Sequence, residues 1–169
     1  MLHPDLVLRK SPISGKGLLA RRMIPKGTIL WVPSHMRVYS TSQYDKFTGP
    51  YKALLRKYTY EDEKGNLIYC TDSSKYWNHS CNPNSAPSAP DEEMDMAVRD
   101  IKAGEEVTYD YVLLWTRGDK PFKCSCGGKG CRGTVRKEPS GSRTVRRIYA
   151  QSEKARRCMN KVRQPLLKG

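Results

Sequence analysis

The feature that most constrains this chain is a cluster of thiols. Cys124, Cys126 and Cys131 fall within eight residues, in the spacing C-x-C-x4-C. Three sulfurs returned to one short stretch favour a metal ion over a disulfide framework when no secretion signal is present. A structural zinc site takes four ligands in a tetrahedron, so three thiolates are one short. The other cysteines are Cys70, Cys81 and Cys158, and spacing alone leaves the fourth ligand open among them.

With 169 residues the chain suits one domain and a short extension. Its charge is unevenly spread. Residues 1–119 carry 16 Lys and Arg against 15 Asp and Glu, a balance of +1, whereas residues 120–169 carry 15 against 2, a balance of +13. The second stretch is a polycation, which implies an acidic partner such as nucleic acid, an acidic protein surface or anionic lipid. No apolar run nears the ~20 residues of a membrane span, and residues 1–10 hold neither an apolar signal core nor a small-residue cleavage site. The expectation is a soluble, intracellular protein without a membrane partner.

Two segments repeat one pattern, A-x-R-x-I-x-x-G-x-x-[L/V]: Ala20 to Leu30 and Ala97 to Val107. Each reads as strand, turn, strand, with Gly27 and Gly104 where positive φ is needed. The fold expected from such short pieces is mainly β. Between them, Tyr44, Phe47, Tyr51, Leu54, Leu55 and Tyr58 give Ser42 to Tyr60 the spacing of an amphipathic helix, broken at Gly49-Pro50. Asn82 to Asp95, with three prolines and four acids, reads as an exposed loop. After Pro139-Ser140-Gly141, Ser142 can cap a basic helix whose narrow stripe is Val145, Ile148, Ala155, Met159 and Val162. Because Ser152 interrupts that stripe, the helix is expected as an electrostatic arm outside the core.

The run Tyr76-Trp77-Asn78-His79-Ser80-Cys81-Asn82-Pro83-Asn84 resembles the N-H-S-C-x-P-N signature of SET-domain protein lysine methyltransferases. Gly104-Glu105-Glu106-Val107-Thr108-Tyr109-Asp110-Tyr111 is similar to the G-E-E-[L/V]-T-[F/Y]-D-Y that follows it in that family. Cys124 to Gly133 matches the post-SET signature C-x-C-G-x-x-x-C-R-G, and Gly15-Lys16-Gly17-Leu18 the G-x-G-L opening. Four motifs in the family's order cover residues 13–135.

The resemblance implies a SET fold, β-clip and pseudoknot-like, mainly β with short helices, a zinc-bound post-SET segment and a basic C-terminal helix. It implies a SET domain over 1–115, the zinc segment over 116–136 and a basic helical extension over 137–169. It supplies Cys81 as the fourth ligand beside Cys124, Cys126 and Cys131, closing a structural zinc site with no open position. It assigns S-adenosylmethionine as methyl donor, held by Lys16, Gly17, Leu18, Tyr76, Asn78 and His79. Gly15 and Gly17 are expected to let the backbone approach that ligand.

Transfer by in-line displacement needs a neutral lysine amine. With an ordinary pKa of ~10.4, neutralising that amine near neutral pH costs roughly 4 kcal/mol, which a desolvating aromatic channel helps to supply. The resemblance makes Tyr111 the catalytic tyrosine and Tyr109 the residue that limits the product to mono- or dimethyl-lysine. The substrate implied is a protein lysine, as in histone tails, and the basic segment adds contact with nucleic acid or the nucleosome and a nuclear, chromatin-associated setting. The second reading is a degenerate SET domain that binds peptide or nucleic acid without catalysis.

Departures concern the lysine channel. Trp31-Val32-Pro33-Ser34-His35-Met36 replaces the family's Y-x-G-E, so a channel tyrosine is missing at Pro33, with Tyr39, Tyr44 or Tyr76 as substitutes. Lys75 stands for the family's arginine and loses its planar fork. The residues ahead of Gly15 hold no cysteine-rich pre-SET region. Cys70 and Cys158 are read as bystanders.

Overall fold

The computed structural model describes residues 1–62, 64–89, 94–114 and 120–167. Chain order begins with β1 (Leu6–Lys10), β2 (Lys16–Ala20), β3 (Ile29–Trp31) and β4 (Met36–Tyr39), followed by α1 (Thr41–Lys46) and α2 (Gly49–Tyr58). Next come β5 (Thr59–Glu61), β6 (Leu67–Cys70), β7 (Asn78–His79), β8 (Ser85–Pro87), β9 (Asp95–Ala97) and β10 (Glu106–Tyr109). β11 (Phe122–Lys123), β12 (Thr134–Val135) and α3 (Arg143–Met159) close the order. The strands form small sheets in the orders β1-β2-β10-β7, β3-β9-β8, β4-β6-β5 and β11-β12.

The two repeated segments have the strands and turns expected of them, with φ of +84° at Gly27 and +79° at Gly104. Neither closes as a hairpin. The arms of one unit pair with the arms of the other: β2 with β10, β3 with β9, and Ile24 with Ile101 between them. Interlocking wins because it buries both apolar sets together. Ile24, Ile29, Ile101 and Val107 are all 1% exposed or less, and each such side chain contributes about 1.5–3 kcal/mol.

The helical segment breaks where Gly49-Pro50 predicts. Ser40 and Gln43 form a capping box on α1, Gly49 takes φ of +62°, and Pro50 occupies the first turn of α2. Asn82 to Asp95 departs from expectation, because β8 and β9 pair across it with Ala86 opposite Met96. Asn84 and Ser85 are buried there because each finds a backbone partner. Asn84 donates to the Glu106 carbonyl at 2.8 Å and accepts from the Thr108 N–H at 2.8 Å, and the Ser85 hydroxyl donates to the Thr108 carbonyl at 2.7 Å. The acid-rich residues 90–93 lie outside the described residues, as do 115–119, which include the expected boundary at 115/116, and Lys168.

Ser142 caps α3 as expected, accepting from the Val145 N–H at 3.2 Å. The loosely held arm is corrected. Val145, Ile148 and Ala155 join Ile29, Ala86, Met96 and Val135 in one buried cluster. Ser152 is itself buried and donates to the Ile148 carbonyl, so the small hydroxyl continues the stripe and does not interrupt it. At Gly27 a Cβ would stand 2.8 Å from the Ala155 carbonyl oxygen, so glycine serves both the turn and the approach of α3. Gln164 then donates to the Gly27 carbonyl and accepts from the Ile29 N–H, both at 2.8 Å.

Candidate active site

The parallel pair β7 and β10 sets Asn78 beside Thr108 and His79 beside Tyr109. The Asn78 amide nitrogen lies within 3.1 Å of four acceptors: the Ser11 hydroxyl, the Ser14 and Lys16 carbonyls and the Glu106 carboxylate. Ser11 donates to that carboxylate at 2.7 Å, which draws the 11–16 turn against β7. A Cβ at Gly17 would collide with the Glu106 carboxylate, so the neighbour that excludes a side chain at Gly17 belongs to the protein. Gly15 needs its positive φ of +51° and has open space around it. Leu18 is a fully buried core side chain, which leaves only its backbone for binding. The Tyr76 ring is flanked by the Lys16 and Lys75 ammonium groups, 5.6 and 5.4 Å from its centroid.

His79 is 5% exposed, and burial lowers its pKa to about 4. It is neutral, with Nδ1 accepting from the Tyr111 N–H at 3.1 Å. That bond leaves the proton on Nε2, which faces Cys81 Sγ at 3.4 Å. The same ring packs edge-on against Tyr111 and Phe122, with centroids at 5.4 and 5.8 Å. His79 therefore joins the tyrosine site to the cysteine cluster.

The four expected cysteines converge. The sulfurs of Cys81, Cys124, Cys126 and Cys131 all lie within 4.8 Å of one another, with Cys81 and Cys124 at 3.7 Å. A tetrahedron with Zn–S bonds of about 2.3 Å spaces its sulfurs about 3.8 Å apart, so the cluster can hold a metal ion. Backbone N–H groups of Arg132, Cys126 and Gly133 point at Cys81, Cys124 and Cys131 from 3.3 to 3.4 Å, which favours thiolates. Arg132 also reaches back to Asp110 at 2.6 Å, a buried acid between the two tyrosines. Arg147 of α3 donates to the Cys81 carbonyl at 3.0 Å.

Beside the tyrosines opens a cavity of about 770 Å³ lined by Trp31, Trp77, Tyr109, Tyr111, Tyr58 and Tyr60 among others. The Tyr111 hydroxyl donates to the Trp77 carbonyl at 2.7 Å, and burial pushes its pKa up to about 12. It stays protonated at neutral pH and turns its oxygen lone pairs away from that bond. Tyr39, Tyr44 and Tyr76 do not line the cavity; Tyr58 and Tyr60 do, which corrects the choice of substitute for the missing channel tyrosine. Tyr39 is taken up by Tyr51, hydroxyl to hydroxyl at 2.7 Å. Cys70, read as a bystander, also lines the cavity. Sequence reasoning missed Asp95, Phe122 and Arg132. Arg132 and Phe122 flank the cysteines and could have been suspected from that place; nothing local marks Asp95.

A family model described as the SET domain matches residues 15–112. The Arabidopsis thaliana histone-lysine N-methyltransferase ASHR3 is 36% identical over 101 residues, 53% of this chain and 20% of that protein. The Drosophila melanogaster histone-lysine N-methyltransferase trr is 29% identical over 140 residues, 76% of this chain and 6% of that protein. A second plant protein, the Arabidopsis histone-lysine N-methyltransferase ASHH3, is 40% identical over 74 residues, 41% of this chain and 20% of its own length. The chain thus spans a fifth or less of these relatives. With the family model covering more than half of its residues, the four-cysteine cluster where the post-SET signature falls, and strands paired around the tyrosine motif, the chain belongs to the SET-domain family.

Proposed function

We propose that this chain is a protein-lysine N-methyltransferase that uses S-adenosylmethionine and adds one or two methyl groups to a lysine of a histone or similarly basic tail. The observation that carries it is the Tyr111 hydroxyl, half-buried beside an aromatic cavity and tied by its proton to the Trp77 carbonyl. An oxygen so committed accepts weak C–H hydrogen bonds from a transferring methyl without taking a proton itself. Entering the cavity among Trp31, Trp77 and Tyr109 takes the amine out of water, and that desolvation favours the neutral lysine. Bound S-adenosylmethionine supplies the electrophilic methyl group. The backbone of Lys16, Gly17, Leu18 and His79 and the side chains of Tyr76 and Asn78 are the groups we assign to it.

We assign zinc to Cys81, Cys124, Cys126 and Cys131, because four thiolates at this spacing match its preferred geometry. Its part is structural: it fastens Phe122 and Arg132 over the tyrosine site. The exposed face of α3 carries Arg143, Arg146, Lys154 and Arg156, and we assign to it a contact with nucleic acid or a nucleosome in a chromatin setting. No helix among the described residues is long and apolar enough to cross a membrane.

Incubation with labelled S-adenosylmethionine and either core histones or nucleosomes tests the reading. Methyl-lysine found by mass spectrometry supports it. Binding of the methyl donor or of histone tails with no transfer to any substrate would instead favour a degenerate binding domain.

A further inference from the structure

A second cavity, of about 400 Å³, shares no lining residue with the one beside the tyrosines. Three parts of the chain meet around it: His3 to Asp5 ahead of β1, the first repeated unit from Arg22 to Thr28, and Arg163 and Pro165 beyond α3. The tail is brought there by Gln164, which bonds the Gly27 carbonyl and the Ile29 N–H on either side of Thr28.

Two buried polar groups in the lining are left over. Thr28 is 2% exposed; its N–H donates to the Pro25 carbonyl at 3.2 Å and its carbonyl accepts from the Ala97 N–H at 2.9 Å. Its hydroxyl, also buried, has no partner among the described residues. His3 is buried too and accepts the Asp5 N–H on Nδ1 at 3.1 Å, which leaves its proton on Nε2. That N–H finds no acceptor among the described residues, and burial lowers the His3 pKa, so the ring is a neutral donor. Few buried polar groups stay unpaired in native proteins, so two in one cavity ask for a partner from outside the chain. One water, whose share of liquid volume is about 30 Å³, would fill little of the space.

Charge and wall chemistry narrow that partner. Arg22 and Arg163 stand at the mouth against one acid, Asp5, an excess of one positive charge. Arg22 meets Asp5 through Nε at 2.9 Å, which leaves its terminal N–H groups to donate elsewhere. The remaining wall is apolar, from Pro4, Met23, Ile24, Pro25 and Pro165. We propose that this cavity binds a small organic carboxylate with an apolar stem: Thr28 and His3 donate to the carboxylate, the two arginines supply its countercharge, and the proline-rich wall encloses the stem. A single negative charge matches the excess, whereas a phosphate dianion exceeds it. The site is independent of the methyltransferase reading, since neither methyl donor nor lysine enters it.

The test is a titration of the full chain followed by amide NMR. Benzoate and hexanoate are the probes, benzamide and hexanamide their uncharged counterparts, and inorganic phosphate the rival anion. Both carboxylates should give saturable shifts centred on residues 3–5, 22–28 and 163–165. The amides should bind about tenfold more weakly or worse, having lost their charge-assisted hydrogen bonds, and phosphate should bind more weakly than either carboxylate. Thr28→Val should weaken benzoate about tenfold while keeping or raising the ligand-free Tm, because it removes a hydroxyl that the chain itself does not satisfy. Arg163→Gln, an exposed change that leaves the core untouched, should weaken benzoate about threefold. Carboxylates no tighter than their amides, phosphate tighter than both, or shifts centred on Asn78 or Tyr111 instead would overturn the site. So would a Thr28→Val chain that melts below wild type without ligand, which would mean that the hydroxyl is satisfied within the protein.

Discussion

Residues 120–135 and helix α3 follow one another in the chain and are both strongly basic, yet they are held to the core by different means. Within 120–135 the one buried side chain is Val135, and Phe122 is 37% exposed. What gathers this segment is the sulfur cluster and the reach of Arg132 to Asp110. Helix α3 buries Val145, Ile148, Ser152 and Ala155 and closes with Gln164 on the backbone of Gly27 and Ile29. One is a clip built on a sulfur cluster able to hold a metal ion; the other is part of the core. Charge says nothing of how a segment is attached.

The largest effect should come from chelation. Removing the metal, or Cys126→Ser, should release residues 120–135 and abolish transfer, because four neighbouring thiols without an ion have little else to hold them. Hydrogen exchange should show lost protection there while α3 keeps its own. Loss of both together would erase the distinction.

Next in size is Ile148→Asp, which buries an unpaired charge where the side chain is fully enclosed. Thermal unfolding should register about 3–5 kcal/mol, enough to unfold a marginal domain. A shift under about 1 kcal/mol would return α3 to the status of a loose arm. Arg132→Met should cost about 3–5 kcal/mol at most, since it leaves Asp110 buried without its cation. Because Arg132 is partly exposed, a value near the lower end is expected, and it should appear as weaker metal retention as much as lower Tm. Smallest of all is Glu153→Gln on the outer face of α3, whose pair with Arg157 is mostly exposed and is worth less than about 1 kcal/mol. A larger loss in Tm would mean the outer face packs on something.

The contrast also explains what could be read from the sequence. The cysteines, the two positive-φ glycines, the Gly49-Pro50 break and the Ser142 cap are local signals, in which a few neighbouring residues decide the conformation. The interlocking of the repeated units is non-local: nothing within Ala20 to Leu30 says that its arms prefer those of Ala97 to Val107. Ser152 read as a gap because a hydroxyl is polar, although a helix can satisfy it from its own Ile148 carbonyl. Asp95 was hidden in an acid-rich stretch, and only the β8–β9 register turns it into the cavity. The channel residues Tyr58 and Tyr60 arrive from an element boundary, where pattern reading is least exact.

The central claim is that Tyr111 aligns the reacting groups and does little to hold the methyl donor. Tyr111→Phe removes one oxygen and its bond to the Trp77 carbonyl while keeping the ring against His79. Single-turnover transfer and S-adenosylmethionine affinity, measured on the same preparation, separate the two roles. The account predicts a loss of transfer of roughly a hundredfold or more with affinity within about threefold of wild type. Transfer and affinity falling together, or transfer unchanged, would contradict it.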